Sequence, residues 1–215
     1  MMPPVFKPPY DSPIEGIFAY EFVKVANPEI DLISQHEVST ICGKFILDFL
    51  AVSKDGQRIG IECDGKEFHE HERDEFRDAV ILGDFPIDSI YRFRGKDIYF
   101  SPHDCLYVML CLDPDLFSVR GKANTMARSS RLIREVEIDP NEEQICRWDY
   151  VKGRDPHLAL QVDRRSKNHI HKCRTYWMEI YTFASQLGGG DLNDVMQSFL
   201  GRKTGNNPTA FSSEG

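Results

Sequence analysis

The sequence predicts an α/β protein: a mixed four-stranded sheet flanked by helices, with a smaller α+β region at its C-terminal end. Three observations point there. Apolar residues recur at helical spacing near the start, over 69–85 and over 102–112. Four further runs are rich in β-branched and aromatic residues and bounded by turn residues. The order through residue 115 is therefore helix, three strands, helix, strand, helix, and beyond it the pattern loosens.

Residues 1–11 are proline-rich and read as extended. "SPIEGIFAYEFVKVA" opens a helix, with Ser12 as N-cap, Pro13 at the first helical position and Glu15 three residues after the cap. "DLISQHEVS" (31–39), "KFILDFLAVS" (44–53) and "QRIGIECD" (57–64) are strands, and "KDG" is a hairpin signal between the last two. "HEHERDEFRDAVILGDF" (69–85) is a helix ended by Gly83. Phe76, Ala79, Val80 and Gly83 mark its inner side; Asp74, Arg77 and Asp78 lie toward the other. "PIDSIYRFRG" (86–95) is the fourth strand and "PHDCLYVMLCL" (102–112) a short helix.

Beyond residue 115, "SVRGKANTMARSSRLIR" reads as a basic loop, and "LIREVEI", "QICRWDYV" and "LALQV" as short strands. "KNHIHKCRTYWMEIYTFASQL" is a helix with Trp177, Ile180, Tyr181, Ala184 and Leu187 in its core, ending at Gly188–Gly190. A short helix follows in "DLNDVMQSFL". The division expected is a core over 1–115, a basic α+β region over 116–202 and a disordered tail over 203–215.

No apolar run approaches the length of a membrane span, and Asp11 and Glu15 interrupt a signal-peptide pattern, so the expected location is the cytoplasm. The six cysteines form no C-x-x-C pair, which argues against a disulfide framework or a four-cysteine zinc site. His169 and Cys173 are four apart but lack a second ligand pair, so zinc ranks below a solvated or nucleic-acid-facing helix. The net charge is −8, unevenly distributed: residues 1–115 carry −11 and residues 116–176 carry +5. An acidic half beside a basic half suits chemistry on a polyanion.

The chemistry concentrates at the end of the third strand. "KFILDFLAV" is apolar on both faces and reads as a strand buried on both sides, with Asp48 in its middle. A buried carboxylate is costly unless paired or bound to a metal. The next strand brings Glu62 and Asp64, which share a face, and no cation. The turn sets the register. A two-residue loop makes paired positions sum to 111 and puts Asp48 opposite Cys63. A three-residue loop with Gly56 left-handed makes the sum 110 and puts Asp48 opposite Glu62. The second is the expectation. Carboxylates crowded this way repel, and a divalent ion relieves the conflict; oxygen ligands select Mg²⁺ or Mn²⁺ over zinc.

In order and spacing, "SPIE", "ILDF", "IECDGKEFH", "ERDEFRD" and "YRFRGKDI" resemble the PD-(D/E)xK nuclease superfamily, with its restriction-endonuclease-like core, and most closely its very-short-patch-repair-like endonucleases. The resemblance covers about residues 12–112. It implies Asp48, Glu62 and the main-chain carbonyl of Cys63 as metal ligands, and Glu15 as the first-helix acid holding a metal-bound water. A plain capping-box role suits Glu15 equally. The superfamily's lysine position holds Asp64 here, followed by Gly65; in this branch an acid and a glycine are usual there, with a histidine soon after, where His69 stands. Lys66 or His69 would supply the missing group. Asp74 and Arg77 match a helical ion pair.

The expected activity is metal-assisted hydrolysis of a phosphodiester, in DNA rather than RNA. The alternatives are an inactive nucleic-acid-binding module on the same fold, or a structural part of a larger complex. A homodimer would suit a double-strand cut. Backbone contacts are expected from Arg120, Lys122, Arg128, Arg131 and Arg134 in the basic loop, and from Arg164, Arg165 and Lys167.

Overall fold

A five-stranded mixed sheet organises the chain, in the spatial order β1 (Asp31–Thr40), β2 (Gly43–Val52), β3 (Arg58–Asp64), β4 (Ser89–Arg94), β5 (Leu160–Arg164). The computed structural model describes residues 10–65, 71–136, 138, 158, 160–164 and 174–205. β3 and β4 run parallel; the other neighbours are antiparallel. A parallel pair needs a crossover, and α2 (His71–Asp84) provides it. The architecture is α/β, as expected, but the sheet has a fifth strand. The C-terminal part of "LALQV" pairs with β4, Val162 opposite Tyr91. The sheet thus draws on residues from both sides of position 115.

Helices α1 (Pro13–Val23), α3 (Gly95–Phe100) and α4 (Pro102–Leu112) lie on one face. There Phe18, Phe22, Phe49, Ile61, Tyr91 and Phe93 form the largest buried cluster. Each such side chain contributes roughly 1.5–3 kcal/mol by leaving water. α2 covers the other face and is itself covered by α7 (Arg174–Leu187) and α8 (Leu192–Gly205). Its Ile81 and Leu82 meet the sheet, while Phe76 and Val80 meet Ile180, Ala184 and Phe199. Gly83 does not end α2, which continues to Asp84; a Cβ there would lie 2.1 Å from the Tyr181 ring, so glycine permits close packing. Leu187, expected in the core, is 52% exposed, and the Trp177 side chain lies outside the described residues.

Local rules account for several boundaries. The Glu15 N–H donates to Ser12 Oγ at 3.3 Å, which caps α1. Between β2 and β3 the loop is Lys54–Asp55–Gly56, with Gly56 at φ 83° and Ser53 N–H donating to the Gln57 carbonyl at 2.9 Å. This three-residue turn produces the predicted register: Phe49 faces Ile61 and Val52 faces Arg58.

The basic "loop" is helical. α5 (Val119–Arg128) and α6 (Arg131–Arg134) start on Ser118 and Ser130, each accepting a backbone N–H through its hydroxyl. Gly121 sits so close to the end of α1 that a Cβ would meet the Val25 carbonyl at 1.8 Å. "LIREVEI" therefore begins in α6 rather than in a strand, and Ile133 is fully buried. "QICRWDYV" lies outside the described residues.

β1 and β2 share one irregularity. Leu32 packs on the α1 face, yet Val38 packs on the α2 face. Likewise Phe49 and Ala51 face α1 while Leu47 faces α2. Residues an even number apart should share a face. Both strands therefore invert their pleat between these pairs. The ladder lacks one pair there, between Ser34–Phe49 and His36–Leu47, at Gln35 and Asp48. The inversion explains why "KFILDFLAV" is apolar at both parities although Ile46 is 55% exposed. Burial on both sides along the whole strand is therefore corrected.

Candidate active site

The site lies where β2 and β3 part. Their ladder stops at Phe49–Ile61, while β3 continues to Asp64 alongside β4. Past that point the Cys63 N–H donates to Asp48 Oδ2 at 2.7 Å. A carboxylate thus takes the place of a strand. The register is the one expected, but the ladder ends one pair before Asp48 and Glu62, which are not a hydrogen-bonded strand pair; Glu62 pairs with Arg77 of α2.

Glu15 approaches from α1 and is 3% exposed. Its Oε2 accepts the Asp11 N–H at 3.1 Å and the Gln35 Nε2–H at 2.8 Å. Its capping partner is therefore Asp11, one residue before the N-cap. On the other side Arg77 of α2 pairs with Glu62, lies over the Phe45 ring and donates to the Ile46 carbonyl at 3.2 Å. Arg92, opposite Glu62 in the β3–β4 register, donates to Asp78 at 2.5 and 2.8 Å and to Asp64 at 3.1 Å.

Two expectations are corrected here. Arg77 and Asp78 do not lie on an outer face: Asp78 is fully buried, and Arg77 is bound to Glu62. Nor are the carboxylates without cations, since two arginines reach them. The signals were present but weak: Arg77 stands four residues before buried Ile81, and Arg92 alternates with buried Tyr91 and Phe93. Lys66 and His69 lie outside the described residues.

Electrostatics follow from burial. Asp48 is pushed up to about 6 by desolvation, then by the charges of Glu15 and Asp64, against the Cys63 hydrogen bond and Arg77. Burial pushes Glu62 up to about 8, although Arg77 and Arg92 oppose it. Burial also raises Asp163 of β5 to about 7, with Asp78 adding to the effect. Arg92 loses hydration, but Asp78 more than compensates and holds it above the ordinary guanidinium value.

The basic residues separate into groups. Arg120 is exposed and Lys122 half-buried on α5. Arg128 reaches Glu21 at 3.4 Å, and Arg131 pairs with Glu135 at 2.6 Å. Arg134 donates to the Met126 carbonyl at 3.0 Å and to the Ser129 carbonyl, closing the end of α5. Arg164 pairs with buried Asp113 at 2.8 Å. Arg165 and Lys167 lie outside the described residues.

Comparison with known proteins finds no matching family model, no matching curated protein and no matching solved structure. The donor set itself tests the implied metal. Hard oxygen donors that are desolvated and mutually repulsive suit Mg²⁺ or Mn²⁺. Among the described residues, however, no three His, Cys, Asp or Glu side chains converge closely enough to hold an ion. Asp48 and Glu15 retain acceptor capacity beside neutral donors, whereas Glu62 is engaged by Arg77. The set fits a divalent ion in its chemistry, with Glu62 joining it only on exchanging Arg77.

Proposed function

We propose that this protein is a divalent-metal-dependent nuclease of the restriction-endonuclease-like type, acting on DNA. The observation that carries the reading is the fork between β2 and β3, where Asp48 feels the charges of Glu15 from α1 and Asp64 from β3, and Glu62 feels that of Asp48. Asp48 and Glu62, with the Cys63 carbonyl, would hold Mg²⁺ or Mn²⁺. When bound, such an ion neutralises charge developing on the scissile phosphate. Arg77 then brings a guanidinium to the strand that carries Asp64 in place of lysine, and guanidinium geometry matches phosphate. Lys66 and His69 are the candidates for handling the proton of the attacking water. The exposed charge of Arg120 would steer the DNA backbone. Among the described residues no helix is long and apolar enough to cross a membrane.

One observation favours a second reading, an inactive DNA-binding module: arginines already pair with Glu62 and Asp64. Cleavage of linear, supercoiled and single-stranded DNA with Mg²⁺, Mn²⁺ or EDTA, wild type beside Asp48→Asn, decides between them. The nuclease reading expects metal-dependent cutting that the substitution abolishes while the fold is kept. Salt-dependent binding without cutting, unchanged by the substitution, would establish the module instead.

A further inference from the structure

We propose that Gln35, on a strand with no recognised motif, is a positioning residue of this site: its left-handed backbone turns the β1 pleat opposite Asp48 and its amide holds Glu15. The proposal rests on the nuclease reading. A backbone distortion and a side-chain contact meet at this residue. Among the described residues Gln35 is the one non-glycine with positive φ, 49°, and it lies inside a ten-residue strand. A left-handed residue in mid-strand is strained, and such strain persists where the surroundings enforce it. The β1–β2 register places Gln35 opposite Asp48 at the one gap in that ladder. Its Nε2–H then reaches across to α1 and donates to Glu15 Oε2 at 2.8 Å. Glu15 can only accept, so the amide must present its nitrogen.

The arrangement has a purpose that an arginine would not serve. Glu15 is nearly enclosed and needs donors. Two neutral donors, the Asp11 N–H and the Gln35 amide, fix its orientation without cancelling its charge. The same pleat inversion that strains Gln35 delivers Asp48 to the fork. One backbone distortion therefore sets two acids.

Gln35→Gly tests this in the full chain, because glycine keeps the left-handed backbone and removes only the amide. The expected variant is folded, with a melting temperature equal to or above wild type. Its Mn²⁺ affinity by titration calorimetry should fall about 10- to 100-fold, the usual cost of losing an outer-sphere partner of a metal site, here the amide that orients Glu15 toward a metal-bound water, and kcat should fall with it while KM for DNA holds. Wild-type affinity and kcat in the variant would overturn the proposal. If the glycine variant fails to fold, Gln35→Asn, which also tolerates positive φ but is too short to reach Glu15, takes its place under the same criteria. If wild type binds Mn²⁺ but cuts no DNA, the nuclease reading falls and the calorimetric comparison alone judges Gln35. A wild type that neither binds nor cuts overturns both.

Discussion

The two faces of the sheet treat their carboxylates differently. On the α1 face Glu15 is held by a backbone N–H and an amide, and at the fork Asp48 is held by the Cys63 N–H. On the α2 face Glu62, Asp78 and Asp64 are held by Arg77 and Arg92. Neutral donors satisfy a carboxylate and leave its charge to attract a cation. Arginines cancel the charge and tie the acid to the fold. On the proposed reading the chemistry belongs to the α1 side and the fork, with Glu62 joining from the α2 side on exchanging Arg77, while the Arg92–Asp78 pair serves stability.

The largest expected effect tests the α2 side. Arg92→Ala strips Asp78, which has no exposure, of both its hydrogen bonds. Removing one partner of a buried pair costs about 3–5 kcal/mol, measurable by urea denaturation. A loss below about 1 kcal/mol would break the contrast.

The pH dependence is next. Asp48 and Glu62 have folded values of about 6 and about 8, above their ordinary carboxylate values. The folded state therefore holds more protons than the unfolded chain across this range. Their contribution is fully present below the unfolded values and is lost as pH rises through the folded ones. Asp163 acts in the same sense. His36 and His103, lowered by burial, act oppositely but are only half-buried. In EDTA the melting temperature should fall between about pH 5 and about pH 9, on the order of a few kcal/mol of stability. A rise over that interval would contradict it. Divalent ions should reduce the fall.

The smallest effect belongs to the α1 side. Glu15→Gln keeps an acceptor oxygen for its neutral donors, so stability should change by less than about 1 kcal/mol. Metal-dependent cleavage should nevertheless drop. A stability loss as large as that of Arg92→Ala would place Glu15 with the structural acids.

Local chemistry determined what the sequence alone could show. Ser12 caps α1 because a hydroxyl three residues before an N–H needs no distant partner. Gly56 sets the hairpin register because only a left-handed residue closes that turn, and the register fixes the pairs from Val52–Arg58 to Phe49–Ile61 that end beside Asp48. The acids of the fork were legible for the same reason. The remainder depended on which surfaces meet. Positions 118–134 look like a loop until the tight approach of Gly121 to Val25 and the burial of Ile133 supply a helical face with a partner. β5 is a short ambiguous run until β4 offers it an edge. Arg77 and Arg92 look solvated until packing closes over them and leaves carboxylates as their partners. The left-handed turn at Gln35 carries no local signal: glutamine does not prefer it. Only the demand that β1 and β2 bury different faces at their two ends decided it.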